Sequence, residues 1–241
     1  MSVEPTQDAL EKLYSLANPC HLCPRNCGVD RMQGEQGYCG VGSKPLVASA
    51  APHFGEEPCL VGRGGSGTIF FGGCNLLCVF CQNYDISHGT GGTPAGPDEI
   101  ADLMLRLQKR GCENINFVTP SHVAPWIADA VRRARMDGLT VPIVYNSGGY
   151  DRVETLRLLE GTVDIYMPDA KFWDPEQSER YCDARDYPQV MREALKEMHR
   201  QVGDLEIRDG RARRGLLVRH LMMPNDVAGS RDVLRFLSEE I

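Results

Sequence analysis

Apolar residues recur at helical spacing after Pro97-Asp98-Glu99: Ile100, Leu103, Met104 and Leu107 form one stripe, closed by Gly111. Proline and acids in a first turn and glycine just past the last are helix punctuation. Upstream, Thr68-Ile69-Phe70-Phe71 is a short apolar run between glycines, which predicts a strand over 68–71. The alternation then repeats. A strand over 114–118 precedes a helix in which Val123, Ile127 and Val131 recur every four residues up to Gly138. Strands over 141–145 and 163–167 flank a helix over 152–159. A helix over 188–202 follows, with Asp186 as its cap. A strand over 216–221 and a helix holding Val233 and Leu237 complete the series. Five strand–helix units in a row predict a right-handed parallel α/β sheet, curved or closed into a partial (β/α) barrel.

The N-terminal quarter reads differently. Residues 1–17 predict a short amphipathic helix through Leu10, Leu13, Tyr14 and Leu16, but residues 18–60 are dense in Cys, Gly and Pro with little periodicity. Such a segment needs a metal or a neighbouring domain to order it. The expected organisation is a Cys-rich metal-binding extension over 1–60 and a core over 61–241. A six-unit barrel would need another strand beyond Ile241, so either the barrel has five units or its last unit is missing. A missing unit would leave an open edge able to pair with another chain.

In parallel α/β folds the chemistry gathers at the C-terminal ends of the strands. Here the loops over 72–81, 119–122, 146–150, 168–171 and 220–224 leave those ends and converge on one face.

Composition narrows the classes. A chain of 241 residues, 42% hydrophobic and 24% charged, suits one large domain or a domain with an appendage. No window approaches the ~18 apolar residues of a membrane span. Residues 1–11 lack the apolar stretch of a signal peptide. The net charge of −7 argues against a general nucleic-acid binder, and the basic run over 208–214 reads as a solvated turn. A cytoplasmic protein is expected. Ten cysteines are then unusual, because disulfides do not persist in a reducing compartment. Cys20, Cys23, Cys27 and Cys39 fall in one segment and Cys74, Cys78 and Cys81 in another, at ligand-like spacings. Cys59, Cys112 and Cys182 are scattered and read as buried or incidental thiols.

Gly73-Cys74-Asn75-Leu76-Leu77-Cys78-Val79-Phe80-Cys81 directly follows an apolar strand that opens the βα series. Three thiolates leave one iron of a cubane cluster open, whereas four would close it. The alternative is a zinc site that borrows a fourth ligand such as His88 or Cys59. The strand before the motif and the aromatic before its last cysteine favour the cluster.

With these residues in view, the chain resembles radical S-adenosylmethionine proteins, and more closely the branch related to pyruvate formate-lyase-activating enzyme. The supporting stretches are Gly67-Thr68-Ile69-Phe70-Phe71-Gly72-Gly73-Cys74, Cys81-Gln82-Asn83-Tyr84, Tyr145-Asn146-Ser147-Gly148-Gly149-Tyr150, Asp164-Ile165-Tyr166-Met167-Pro168-Asp169-Ala170-Lys171 and Arg219-His220-Leu221.

The resemblance implies that Cys74, Cys78 and Cys81 hold a [4Fe–4S] cluster whose fourth iron takes S-adenosylmethionine. It implies reductive cleavage to methionine and a 5′-deoxyadenosyl radical, which abstracts hydrogen from a backbone glycine of a partner enzyme. The implied electron donor is a flavodoxin- or ferredoxin-type protein. Phe80 would pack near the adenine, and Lys171 and Asp169 would act beside the cofactor. Asn146, Met167 and Asp169 fall where activating enzymes bind a monovalent cation, with Ser147 and Arg219 close by as cofactor-binding candidates. Many relatives carry Gly-Gly-Glu after the second strand. This chain reads Val118-Thr119-Pro120-Ser121-His122, a departure from that pattern in which Thr119 and Ser121 offer hydroxyls but no carboxylate is present.

The spacing Cys20-x2-Cys23-x3-Cys27-x11-Cys39 suits a zinc tetrahedron or a second cluster, and spacing alone does not choose between them. His21, His53, His88 and His199 read as structural or exposed, and Trp126 and Trp173 as core residues. Two other functions remain open: a radical enzyme that modifies a small molecule or peptide, and a zinc-stabilised binding module without redox activity.

Overall fold

The computed structural model describes residues 6–89 and 91–241. Five strands form the parallel centre of one sheet: β2 (Ser66–Phe71), β4 (Ile115–Val118), β5 (Ile143–Ser147), β6 (Ile165–Pro168) and β8 (Arg211–Leu216). Antiparallel strands flank it. β1 (Leu46–His53) pairs with β2, β3 (Thr93–Pro94) pairs with β1, and β7 (Glu206–Arg208) pairs with β8. The order across the sheet is β3-β1-β2-β4-β5-β6-β8-β7.

The helices fall largely where the periodicity places them: α1 (Gln7–Ser15), α4 (Pro97–Lys109), α5 (Ala124–Met136), α6 (Val153–Leu158), α8 (Tyr187–Val202) and α9 (Ser230–Glu240). The first residues of the helix expected over 1–17 lie outside the described chain. At α4 the Glu99 side chain accepts the Gly96 backbone N–H at 2.8 Å, so the acidic first turn caps the helix as its sequence suggests. Three short helices interrupt the series: α2 (Pro58–Val61), α3 (Tyr84–His88) and α7 (Pro175–Cys182).

Strand alternation sorts the core into two layers. Ile69, Phe71, Ile115 and Phe117 face outward and pack under Ile100, Met104 and Leu107 of α4 and Val123, Ile127 and Val131 around α5. Further along, Tyr145 and Tyr166 meet Leu10, Leu13, Leu156 and Met198. The inward face closes at one end, where Val144, Ile165, Met167 and Ala212 bury Leu60 of α2. Each buried aliphatic side chain contributes about 1.5–3 kcal/mol. The opposite end, above this plug, stays open and receives the loops that leave the parallel strands.

Three expectations need correction. The segment over 18–60 does not lack regular structure: β1 crosses it and joins the sheet, on the N-terminal side of the boundary expected at residue 60. The basic run over 208–214 is not a solvated turn. It forms the β7–β8 hairpin, with Gly210 at its tip, and places the fifth parallel strand at Arg211–Leu216 rather than 216–221. Arg211 pairs with Glu113 at 3.0 Å, and Arg214 donates to the Gln201 carbonyl. Asp186 makes no side-chain cap on α8, because its carboxylate instead accepts the Tyr150 hydroxyl at 2.7 Å.

Candidate active site

The open end of the sheet encloses a cavity of about 560 Å³. Cys74, Cys78 and Cys81 line it, on the loop that leaves β2, together with Phe80. Thr119 comes from the end of β4, Asn146 and Ser147 from β5, Asp169 and Lys171 from the loop after β6, and Arg219 from the segment after β8. The structure thus brings together ten of the sequence-named residues of this end. It leaves two out. Met167 sits one inward position below Asp169, fully buried against Leu60, Val144, Ile165 and Ala212, so it supports the floor rather than the wall. Ser121 opens the turn after β4 and lies buried beside Asp151 and Tyr145, away from the cavity.

The cysteine loop is held in shape by glycine. Gly73 has φ +78°, and a Cβ there would stand 2.3 Å from the Cys39 carbonyl oxygen. Cys74 accepts the Leu76 N–H at 3.3 Å, and its burial pushes the thiol up to about 11. Cys81 lies 3.2 Å from the Ser87 hydroxyl, which also sits 2.9 Å from His88 Nδ1. His88 Nε2 donates to the Leu77 carbonyl at 3.1 Å, so this histidine braces the loop from behind and does not line the cavity. Cys59 is likewise outside it. Neither fourth ligand considered for zinc is therefore beside the three thiols.

Cys182, read from the sequence as incidental, lies at the end of α7 with its sulfur 3.2 Å from that of Cys78. Its S–H donation, aided by the Lys171 charge, draws the Cys78 thiol down to about 7 despite burial, while Cys182 itself is driven far up. The Cys182 S–H thus favours the thiolate form of Cys78. Hydrogen bonds to ligand sulfur favour the more reduced state of an iron–sulfur cluster. Cys182→Ala is accordingly expected to lower the reduction potential of the loaded protein, read by anaerobic redox titration, at a stability cost of about 1 kcal/mol.

Charge across the cavity is organised by Asp169. Lys171 Nζ lies 2.5 Å from its Oδ2, and Arg219 Nε donates to Oδ1 at 3.1 Å. Burial alone would raise this carboxyl, but the two cations outweigh it and hold it below the usual range. Lys171 is buried too, and Asp169 and Cys78 more than offset that burial, so the amine stays protonated. Arg219 also donates to Asn146 Oδ1 at 2.8 Å, which fixes the amide and turns its NH2 group free for an acceptor. Ser147 gives its hydroxyl proton to Asp151 at 2.6 Å and accepts the Gly149 N–H at 3.2 Å. His220 donates from Nδ1 to the Ala170 carbonyl, so its Nε2 accepts the Ser230 hydroxyl at 2.7 Å.

Tyr187, which no motif marks, locks two loops together. Its hydroxyl lies 2.9 Å from the Gly148 carbonyl and 2.8 Å from that of Asp169, and accepts the Lys171 N–H at 2.9 Å. The fit depends on Gly149, with φ +74°, where a Cβ would stand 2.2 Å from the Asp169 carbonyl. Gly149→Ala should therefore lower stability by about 3 kcal/mol in urea titration, because backbone strain and a backbone clash act together.

A family model, that of the Radical SAM superfamily, matches residues 68–226. The chain belongs to the radical SAM superfamily. Two uncharacterized proteins of Methanocaldococcus jannaschii are similar to it. One is 33% identical over 213 residues, covering 86% of this chain and 57% of the relative. The other is 26% identical over 188 residues, covering 65% and 53%. The chain thus spans about half the length of these curated relatives. Among solved structures, the radical S-adenosylmethionine methyltransferase TsrM of Kitasatospora setae, with cobalamin and a [4Fe–4S] cluster bound, superposes with a TM-score of 0.52 at 17% identity. That match covers 73% of this chain and 35% of TsrM, and shows a shared fold. None of these is described as an activating enzyme, and they lend no support to kinship with pyruvate formate-lyase-activating enzyme.

Radical SAM proteins bind a [4Fe–4S] cluster and S-adenosylmethionine. The residues here fit both. Three thiols share the cavity wall, and the one further sulfur nearby, that of Cys182, stands behind Cys78 and does not line the cavity, which leaves the donor set of a cluster with one open iron. Among the described residues no three His, Cys, Asp or Glu groups converge on one ion.

Proposed function

We propose that this chain cleaves S-adenosylmethionine reductively and directs the resulting 5′-deoxyadenosyl radical at a backbone glycine of a partner enzyme, taking its electron from a flavodoxin- or ferredoxin-type protein. The observation that carries the reading is the meeting of Cys74, Cys78 and Cys81 with Asn146, Asp169, Lys171 and Arg219 around one cavity. When bound, the cluster supplies the electron that breaks the sulfonium carbon–sulfur bond.

The chain's own groups position and shield. Cys74, Cys78 and Cys81 hold the three irons. The free NH2 of Asn146 and the ammonium of Lys171 are donors for the cofactor carboxylate. Asp169 keeps Lys171 and Arg219 charged and aligned. Phe80, edge-on to Phe172 at 5.9 Å, offers an apolar surface to the adenine. Thr119, with φ +60°, lines the cavity at the strand end after which the Gly-Gly-Glu of many radical SAM proteins falls. Leu221 on the cavity wall is 57% exposed and its neighbour Met222 is 74% exposed, which suits contact with an incoming protein segment. Among the described residues no helix is long and apolar enough to cross a membrane.

Anaerobic reconstitution followed by S-adenosylmethionine and dithionite tests the cleavage. Methionine and 5′-deoxyadenosine in equal amounts are expected. Deuterium passing from a glycine-labelled glycyl-radical-type partner into 5′-deoxyadenosine would support the protein substrate. Cleavage without such transfer would redirect the search to a small molecule or peptide. No cleavage and no iron would leave the zinc-stabilised binding module.

A further inference from the structure

The four N-terminal cysteines take no part in the reading above. Cys20, Cys23, Cys27 and Cys39 line a small void of about 10 Å³ under the sheet's open end, and Cys20 and Cys23 are buried. Two arginines line the same void, and no carboxylate does. Arg31 is 0% exposed. Its Nε and Nη2 donate to the Gly42 carbonyl at 3.2 and 3.0 Å, its Nη1 donates to the His122 carbonyl at 2.5 Å, and its guanidinium stands 4.8 Å from the Trp126 ring. Among the described residues no carboxylate forms an ion pair with it at 4.0 Å or less. His122, held neutral by burial and by Arg31 itself, adds no charge.

Carbonyl partners satisfy the N–H groups of a buried guanidinium but not its charge, and an uncompensated buried ion costs several kcal/mol. The sulfur cluster beside it supplies the missing anion once deprotonated. Four thiolates around one divalent zinc, or around a [4Fe–4S] core, carry a net charge of about −2. Arg25 adds a second cation on the same wall. Its guanidinium lies 3.7 Å over the Tyr38 ring, donates to the Asn75 carbonyl at 2.8 Å, the Cys182 carbonyl at 2.9 Å and the Asp183 carbonyl, and stands 3.8 Å from the exposed Asp183 carboxylate, so among the described residues Arg31 is the cation of the two that has no ion pair.

We propose that Cys20, Cys23, Cys27 and Cys39 hold a closed, dianionic tetrathiolate metal centre whose charge is balanced chiefly by the buried Arg31, with Arg25 beside it. On loading, four S–H bonds release their protons to solvent as four metal–sulfur bonds form, with no change of oxidation state in the protein. The centre also abuts the cavity's cysteine loop. The Cys39 carbonyl faces Gly73, and Arg25 spans from this centre to Asn75, the residue after Cys74. Ordering of the N-terminal segment therefore braces the loop that carries Cys74.

The proposal is independent of radical chemistry, and its test removes that chemistry. The full chain with Cys74, Cys78 and Cys81 all changed to Ser is purified anaerobically and analysed for zinc, iron and sulfide. About one zinc, or about four irons with matching sulfide, per folded chain is expected, and the element found names the metal. Alkylation with iodoacetamide before and after chelation should show Cys20, Cys23, Cys27 and Cys39 all protected in the loaded form and all modified afterwards. A natively folded chain that retains no metal, or in which any one of the four reacts while loaded, overturns the site. Arg31→Met in the same background should weaken metal retention at least tenfold against a competing chelator, with Arg31→Lys in between. Unchanged retention in Arg31→Met, with the alkylation pattern intact, overturns the charge-balancing role.

Discussion

Replacement of any one of Cys74, Cys78 and Cys81 by alanine is expected to bring S-adenosylmethionine cleavage down to background while the chain stays folded. Each thiolate is the only protein ligand for its iron, so there is no substitute donor: His88 faces the Leu77 carbonyl, and Cys59 lies outside the cavity. Cys182 is the one sulfur near enough to compete, but it stands behind Cys78 and does not line the cavity, and its thiol is pushed up by Cys78 and by burial. The stability cost should be small, about 1 kcal/mol, because a cysteine packs as a small apolar residue. Iron content and 5′-deoxyadenosine yield are the readouts. Cys112→Ala, far away under α4 and β2, is the control and should change neither. Wild-type cleavage in any of the three variants would show that the ligand set is wrong.

Much of this fold is legible in the chain because its central strands are short apolar runs between helices with clean stripes. Ile100, Met104 and Leu107 announce one face of α4, and proline and glycine mark its ends. The legible part of the site is the part encoded locally: the Cys74–Cys81 spacing, and Asp169 and Lys171 two residues apart on one strand end. β1 escaped because alternate residues of Leu46–His53 are exposed or half-buried alanines, serine and histidine, which give no apolar alternation. The hairpin of β7 and β8 escaped because its arginines look solvated while Arg211 and Arg214 find partners, Glu113 and the Gln201 carbonyl, on other elements.

The residues that no motif marked act over long separations. Cys182 reaches Cys78 across 104 positions, and Arg25 reaches the Cys182 carbonyl across 157. Tyr187 joins loops 39 and 18 residues upstream. Local spacing carries no information about such pairs; they exist only once α7 and α8 have packed on the open end of the sheet. Met167 shows the converse. The resemblance to activating enzymes suggested a cation-binding role beside Asp169, but strand geometry sets the two residues at different depths, and α2 fills the space beneath.

Asp169→Asn is expected to destabilise the chain by about 2 kcal/mol at neutral pH, because it leaves Lys171 and Arg219 facing one another without their shared anion. Loss of one partner from a buried pair costs roughly 3–5 kcal/mol, reduced here by partial exposure of the three side chains. The pH dependence has a definite sign. The folded-state pKa of Asp169 lies below its unfolded value of about 3.9, so its stabilisation is complete above that value and is lost as pH falls through the folded pKa. Asp151 and Asp164 have the opposite bias, since burial raises both, and acid relieves rather than removes stability there. Total stability against pH therefore mixes the two signs, whereas the difference between wild type and Asp169→Asn isolates the one carboxylate. Urea titrations at about pH 7 and about pH 3 should show that difference shrinking on the acid side. An equal difference at both values would mean that the folded-state pKa of Asp169 does not lie below its unfolded value, so that the two cations do not favour its ionised form.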